Sequence, residues 1–250
     1  MELGVSVMQS GAKILSVMQP TYLPWLGYFN LINSSDIFVI YDTVQLMRRS
    51  WQVRNKIKTS SGIKWLSIPV KKTQSRDDLF LKNAFIDYST NWQNNHLSLI
   101  KHTYSRSLYF DEIFPVIEKQ IVSSPLRLTQ LTVGLILEFT KMLDIKTEIV
   151  FSADIDYEGK KDEALISICN NFGNVIYKSV PGSADYILEG ENLFKKNNIP
   201  LVWQQYNHPQ YSQLHNDFVS HLPIIDALFN VGIEETKKLI VKQIKITKES

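Results

Sequence analysis

The chain has 250 residues, 44% of them hydrophobic, 21% charged and 11% aromatic, with a formal net charge of +2. That composition supplies a substantial apolar core and excludes a disordered or fibrous protein; the near-neutral balance argues against a uniformly basic nucleic-acid binder. A single cysteine, Cys169, excludes an intrachain disulfide and a cysteine-rich zinc site. No apolar run reaches the roughly 20 residues that span a bilayer, and Met1 to Ala12 lacks a signal-peptide pattern, so the expectation is a soluble cytoplasmic protein.

Ile14 to Met18 is a short apolar run that fits a buried strand. It breaks at Gln19-Pro20-Thr21-Tyr22-Leu23-Pro24, where two prolines forbid regular pairing. Trp25, Tyr28, Phe29 and Ile32 then recur at helical spacing, and Ile37 to Tyr41 reads as a second buried strand. Strand, loop, helix and strand make a βαβ unit, which predicts a mainly parallel sheet and an α/β, Rossmann-like fold. Arg54 to Thr59 and Lys64 to Val70 read as a hairpin. Helices are expected over Asn91 to Tyr104, Phe110 to Val122 and Leu126 to Leu143, the last with Leu128, Leu131, Leu135 and Phe139 on one stripe. Further strands are expected at Glu148 to Phe151, Val175 to Tyr177 and Leu201 to Gln205. Asp162 is the expected cap of a helix that Gly173 stops. Ile224 to Phe229 and Glu234 to Ile246 form a packed helical C-terminal part, and Lys248 to Ser250 is expected to fray. The length suits one domain over 13–250, or two lobes at 13–122 and 123–250, with 1–12 as an N-terminal extension.

Charge is uneven along this chain. From Thr43 to Arg76 there is no acidic residue, while Arg48, Arg49, Arg54, Lys56, Lys58, Lys64, Lys71, Lys72 and Arg76 all fall there. Arg54, Lys56 and Lys58 alternate, so on a strand they share one face. That face suits an anionic ligand, because arginine forks match phosphate geometry; a solvated basic strand face is the competing reading. The loop after the first strand, with Gln19 and a permissive Gly27, is a second candidate, since ligands in α/β sheets sit beyond the carboxyl ends of strands. The small-residue run Tyr177 to Tyr186 could cradle a phosphate but lacks a full nucleotide fingerprint.

His96 and His102 share one expected helix but not one face, and no carboxylate cluster surrounds any histidine, so no metal is expected. His96 and His208 are candidate general bases, although for either one alone a satisfied structural histidine is the commoner reading. Cys169 sits in an apolar helical stripe and reads as core.

Several ordered runs carry a family resemblance. They are Gln19 to Phe29, Ser35 to Asp42, Val44-Gln45, Trp51 to Ile57, Trp65 to Val70, Tyr177 to Tyr186, Tyr206 to Gln213 and Ile224 to Asn230. Together they resemble the WbqC-like family. The resemblance implies a bacterial cytoplasmic protein of O-antigen and surface-polysaccharide (lipopolysaccharide) biosynthesis. It implies transfer of an aminoacyl group, such as glycyl, to the amine of a nucleotide-linked amino sugar. The strand, proline loop and helix are also distantly similar to the nucleotidyltransferase superfamily with the His-x-Gly-His loop. Trp25-Leu26-Gly27-Tyr28 occupies that signature here, without either histidine.

The candidate substrate-binding residues are Gln19, Tyr22, Tyr28, Gln45, Arg54, Asn55, Lys56, Ser179, Gly182, Ser183, Tyr186, Tyr211 and Gln213. The candidate bases are His208, His96 and Asp42. The expected partner is a nucleotide-linked amino sugar, with no resident cofactor and with ATP or aminoacyl-tRNA as possible sources of donor activation. A glycosyltransferase of the same pathway and a non-enzymatic RNA-binding module, with Trp51 and Trp65 stacking bases, are the alternatives. Asp154-Ile155-Asp156 is the sole Asp-x-Asp match for a glycosyltransferase.

Overall fold

In the computed structural model, residues 11–72, 80–183, 191–215 and 217–241 are described. In chain order the elements are β1 (Lys13–Met18), α1 (Leu26–Asn33), β2 (Ile37–Ile40), β3 (Arg54–Thr59), β4 (Gly62–Ser67), α2 (Trp92–Tyr104), α3 (Phe110–Val122), α4 (Leu128–Met142), β5 (Glu148–Phe151), α5 (Asp162–Asn170), β6 (Val175–Ser179), α6 (Glu191–Lys196), β7 (Leu201–Trp203) and α7 (Ile224–Val241). The chain divides into two compact units, neither continuous in sequence. The first holds Met1–Met18, Leu31–Tyr41 and Thr147–Gln205; the second holds Gln19–Asn30, Asp42–Lys146 and Tyr206–Ser250.

The apolar runs at Ile14 and Ile37 become the centre of the first unit. Its five-stranded sheet has the order β5-β2-β1-β6-β7, with every neighbouring pair parallel. The expected α/β fold with a mainly parallel sheet is present. Counting only this sheet's strands, the order is 3-2-1-4-5, so the direction of winding reverses between β1 and β6. Continuous hydrophobicity follows from cover on both faces: Leu15, Val17, Ile37 and Val39 pack with Ile166, Ile168, Cys169, Tyr177 and Phe194. Cys169 is in that core, as its stripe implied. Polar groups inside the unit are bonded. Asp36 accepts from the Ile14 amide at 2.7 Å, and the Ser16 and Ser35 hydroxyls meet at 2.8 Å.

The second unit is built from the β3–β4 hairpin and the helices α2, α3, α4 and α7. The stripe on α4 is buried as its spacing requires: Leu128, Leu131, Leu135 and Phe139 are fully covered. Each such side chain contributes about 1.5–3 kcal/mol by leaving water. The hairpin pairs Arg54 with Ser67 and Thr59 with Gly62. Its second strand therefore starts earlier than expected and stops before Pro69, which has no amide to donate. The Leu201 strand is also shorter, ending at Trp203. Asp162 is the first helical residue rather than the cap; Lys161 holds the cap position, without a side-chain bond.

The two expected C-terminal helices are joined in α7, with a kink where Gly232 has φ 78° and ψ 176°. Side-chain-bearing residues scarcely enter that region. A β-carbon there would also lie 2.6 Å from the Tyr109 ring. Gly232→Ala should therefore destabilise the protein by about 2–3 kcal/mol. A urea unfolding midpoint equal to wild type would refute this. Helix beyond Val241, like the tail from Lys248, lies outside the described residues. No described helix is long and apolar enough to cross a membrane.

Candidate functional site

The acid-free run folds into the β3–β4 hairpin and the loop before it, both in the second unit. Asn55 and Ile57 face inward, while Arg54 and Lys56 are half-buried on the opposite face. An open cavity of about 770 Å³ lies beside that face, lined by Gln45, Arg48, Arg49, Arg54 and Ser67 over an apolar floor that includes Val53 and Ile68. Three arginines thus border one space, and their run of chain brings no carboxylate to it. Arg49 has φ 63°, a conformation uncommon for arginine. Beside the cavity, Trp51 and Trp65 are half exposed with ring centroids 5.6 Å apart, and the Arg54 guanidinium lies 4.4 Å from the centre of the Trp65 ring. Cation–π contact holds that guanidinium against the ring.

The proline loop is tied to this region from below. Asn55 donates to the carbonyls of Tyr22 at 3.2 Å and Leu23 at 2.7 Å, which anchors a loop whose Leu23 has φ 48°. Gln52 is buried; its Nε2 donates to Gln19 Oε1, and its Oε1 accepts from the Met47 amide at 2.7 Å. Gln19 itself is exposed. Tyr22 and Tyr28 are fully buried: the Tyr22 hydroxyl pairs with His96 Nδ1 at 3.0 Å, and the Tyr28 hydroxyl reaches the Gln19 carbonyl at 3.4 Å. His96 is buried too, and desolvation pushes its imidazole down to about 4, against the raising effect of the Ser67 backbone. Asp42 is buried, and its carbonyl accepts from the Lys82 amide at 2.9 Å. Gly27 admits a neighbour closely, but that neighbour is the Trp25 ring, which a β-carbon would strike at 2.1 Å.

Trp25 heads a stack of rings. Its indole lies 5.9 Å from His208 and 4.8 Å from His221, and the two imidazoles are 4.7 Å apart. Neither His208 nitrogen is accessible or makes a well-formed hydrogen bond; the Pro209 backbone is the polar group facing the ring. Burial and the neighbouring His221 push His208 down to about 4. Beyond the stack lies a buried carboxylate, Asp226, which accepts from the Tyr104 hydroxyl at 2.8 Å and the Tyr211 hydroxyl at 2.9 Å. Lys58, third member of the basic face, is buried rather than solvated, with its Nζ 3.4 Å from Gln213 Oε1. Gln213 also bonds both the amide and the carbonyl of Val219 at 2.9 Å. Burial pushes the Asp226 carboxyl above its ordinary range, opposed by the two tyrosines and by the charge of Lys58.

Twelve of the candidate residues therefore fall in the second unit. Ser179 and Gly182 fall in the first, at the carboxyl end of β6 and in the turn Pro181–Ser183 that follows it. Ser179 is buried and Gly182 exposed; the Ser183 side chain and all of Tyr186 lie outside the described residues. Among the described residues, no group of three His, Cys, Asp or Glu could hold a metal ion.

The model of the WbqC-like protein family matches residues 19–238. The chain belongs to that family. It is also 33% identical over 228 residues to the uncharacterized protein Rv1507c of Mycobacterium tuberculosis, covering 89% of this chain and 95% of that one. No solved structure matches it significantly. The family match spans the whole hairpin, the proline loop and the ring stack of this WbqC-like chain. Three residues of these features have no place among the sequence expectations: Gln52, His221 and Asp226. Lys58 belongs to the expected basic face, and what the structure adds is its burial. His221 and Asp226 carried none, because their partners are far away in the chain.

Proposed function

We propose that this WbqC-like protein is a cytoplasmic transferase of surface-polysaccharide biosynthesis. It moves an aminoacyl or acyl group, glycyl among them, from an activated donor to the amine of a nucleotide-linked amino sugar. The observation that supports this best is the cavity beside Arg54, where three arginines adjoin an exposed tryptophan pair. Arginines match the geometry of a diphosphate, and a tryptophan face accepts a nucleobase. A nucleotide sugar carries both groups on one molecule. Membership of the WbqC-like family supports the pathway part of this reading. Amide formation then requires a neutral amine, because an ammonium has no lone pair to attack the acyl carbon. Holding amine and acyl donor together supplies the rest of the rate without a covalent enzyme intermediate.

Arg54→Ala should weaken binding of a UDP- or dTDP-amino sugar about 10- to 100-fold, the value of one charge-assisted contact. Isothermal titration with the folded variant measures it, and unchanged affinity would discard the phosphate role of Arg54. The reaction itself is tested by mass spectrometry of the amino sugar nucleotide incubated with glycine and ATP, or with glycyl-tRNA. An amide product supports the transfer. Release of free nucleoside diphosphate with glycoside formation would replace it by glycosyl transfer, and salt-sensitive RNA binding without nucleotide-sugar affinity would replace it by a binding module.

A further inference from the structure

We propose that His221 is the base that takes the proton from the attacking sugar amine, with His208 as the buried ring that supports it. This rests on the transfer reading above. Of the two histidines expected as bases, His96 has Nδ1 engaged by the Tyr22 hydroxyl, and both His208 nitrogens are sealed from solvent. His221 is exposed. Its position is fixed from two sides. The following residues are pinned to the proline loop by a bridge between Pro223 and Trp25 and by the Ile224 amide donating to the Pro24 carbonyl at 2.8 Å. The ring packs at a tilt against Trp25 and stacks on His208. His221 also holds φ 57°, which costs a histidine energy and persists only where surrounding contacts impose it.

The charges around the imidazole match the task. Lys56 from β3 and His208 from the loop after Tyr206 are the titratable groups that face it. Partial desolvation by the neighbouring rings and the Lys56 ammonium push its pKa below the ordinary value, so the ring is neutral at pH 7 with a lone pair available. Lys56 shares the strand face of Arg54, two residues along, and the assigned role requires a ligand whose phosphates meet Arg54 to extend its sugar end past Lys56 to this corner, outside the cavity lining. In the step, the amine nitrogen forms a bond to the acyl carbon of an activated ester or acyl phosphate. The bond from that carbon to the donor oxygen breaks, and the oxygen leaves with the electron pair. His221 accepts the proton lost by nitrogen and returns it to solvent.

The test compares wild type with His221→Asn, which tolerates the left-handed backbone, and His221→Gln, with circular dichroism to verify folding. The expected result is at least a 100-fold loss in kcat, within the range of general-base catalysis. Nucleotide-sugar Kd should stay within about twofold, and added imidazole should restore part of the rate. The wild-type rate should fall on acidification through the pKa of an imidazole, and the variants should lose that limb. Wild-type rates in both variants, or a loss of affinity equal to the loss of rate with no rescue by imidazole, would overturn the role. Absence of product from wild type with every donor would instead overturn the transfer reading, a failure visible before any variant is made.

Discussion

Asp226→Ala should cost about 3–5 kcal/mol, a large share of the stability of an ordinary domain. The carboxylate is almost wholly buried and accepts two tyrosine hydroxyls, from Tyr104 at 2.8 Å and Tyr211 at 2.9 Å. Removing it strands both hydroxyls, and each unpaired buried group costs about 1–3 kcal/mol. It also takes a negative charge away from buried Lys58. Asp226→Asn keeps an acceptor oxygen and should lose less than half as much. Urea unfolding of both variants measures the difference. Equal losses would mean that the charge, not the hydrogen bonds, carries the effect; no loss in either would remove the network from the account of the core.

Stability should rise on the order of 3 kcal/mol as pH increases from about 4 to 6.5 through His96 alone. In the unfolded chain this imidazole has its ordinary value of 6.5; in the folded protein, burial holds it down to about 4. Between those values the unfolded state binds the extra proton. The contribution is therefore fully present above pH 6.5 and is lost as pH falls toward 4. His208 acts in the same direction, since burial and His221 also bring it to about 4. Urea unfolding between pH 4 and 7 should show the slope, and His96→Gln should flatten part of it. An unchanged slope in that variant would show that His96 does not supply it.

The arginine-lined cavity was half legible in the sequence. The missing acids between Thr43 and Arg76 and the alternation of Arg54, Lys56 and Lys58 both survive, as a basic run with no acid of its own and as a strand on which Arg54 and Lys56 share a half-buried face. Burial of Lys58 was not legible, because it is imposed from elsewhere: Gln213, which faces its Nζ, is 155 residues away. In the sequence the proline loop reads as a ligand-facing corner. Its exposed Gln19 fits that, while Tyr22 and Tyr28 spend their hydroxyls inside the fold.

Period and punctuation determined the elements of this protein. Continuous apolar runs fit strands covered on both faces, as Ile14 to Met18 and Ile37 to Ile40 are, and the stripe from Leu128 to Phe139 fits a buried helix face. What the tertiary structure alone decided is the meeting of side chains across long loops. Trp25 with His208 and His221, and Asp226 with Tyr104 and Tyr211, come together because each chain segment satisfies another's buried surface and buried polar atoms. Local periodicity reports only which face of a segment turns inward; it carries no record of which distant segment that face will meet.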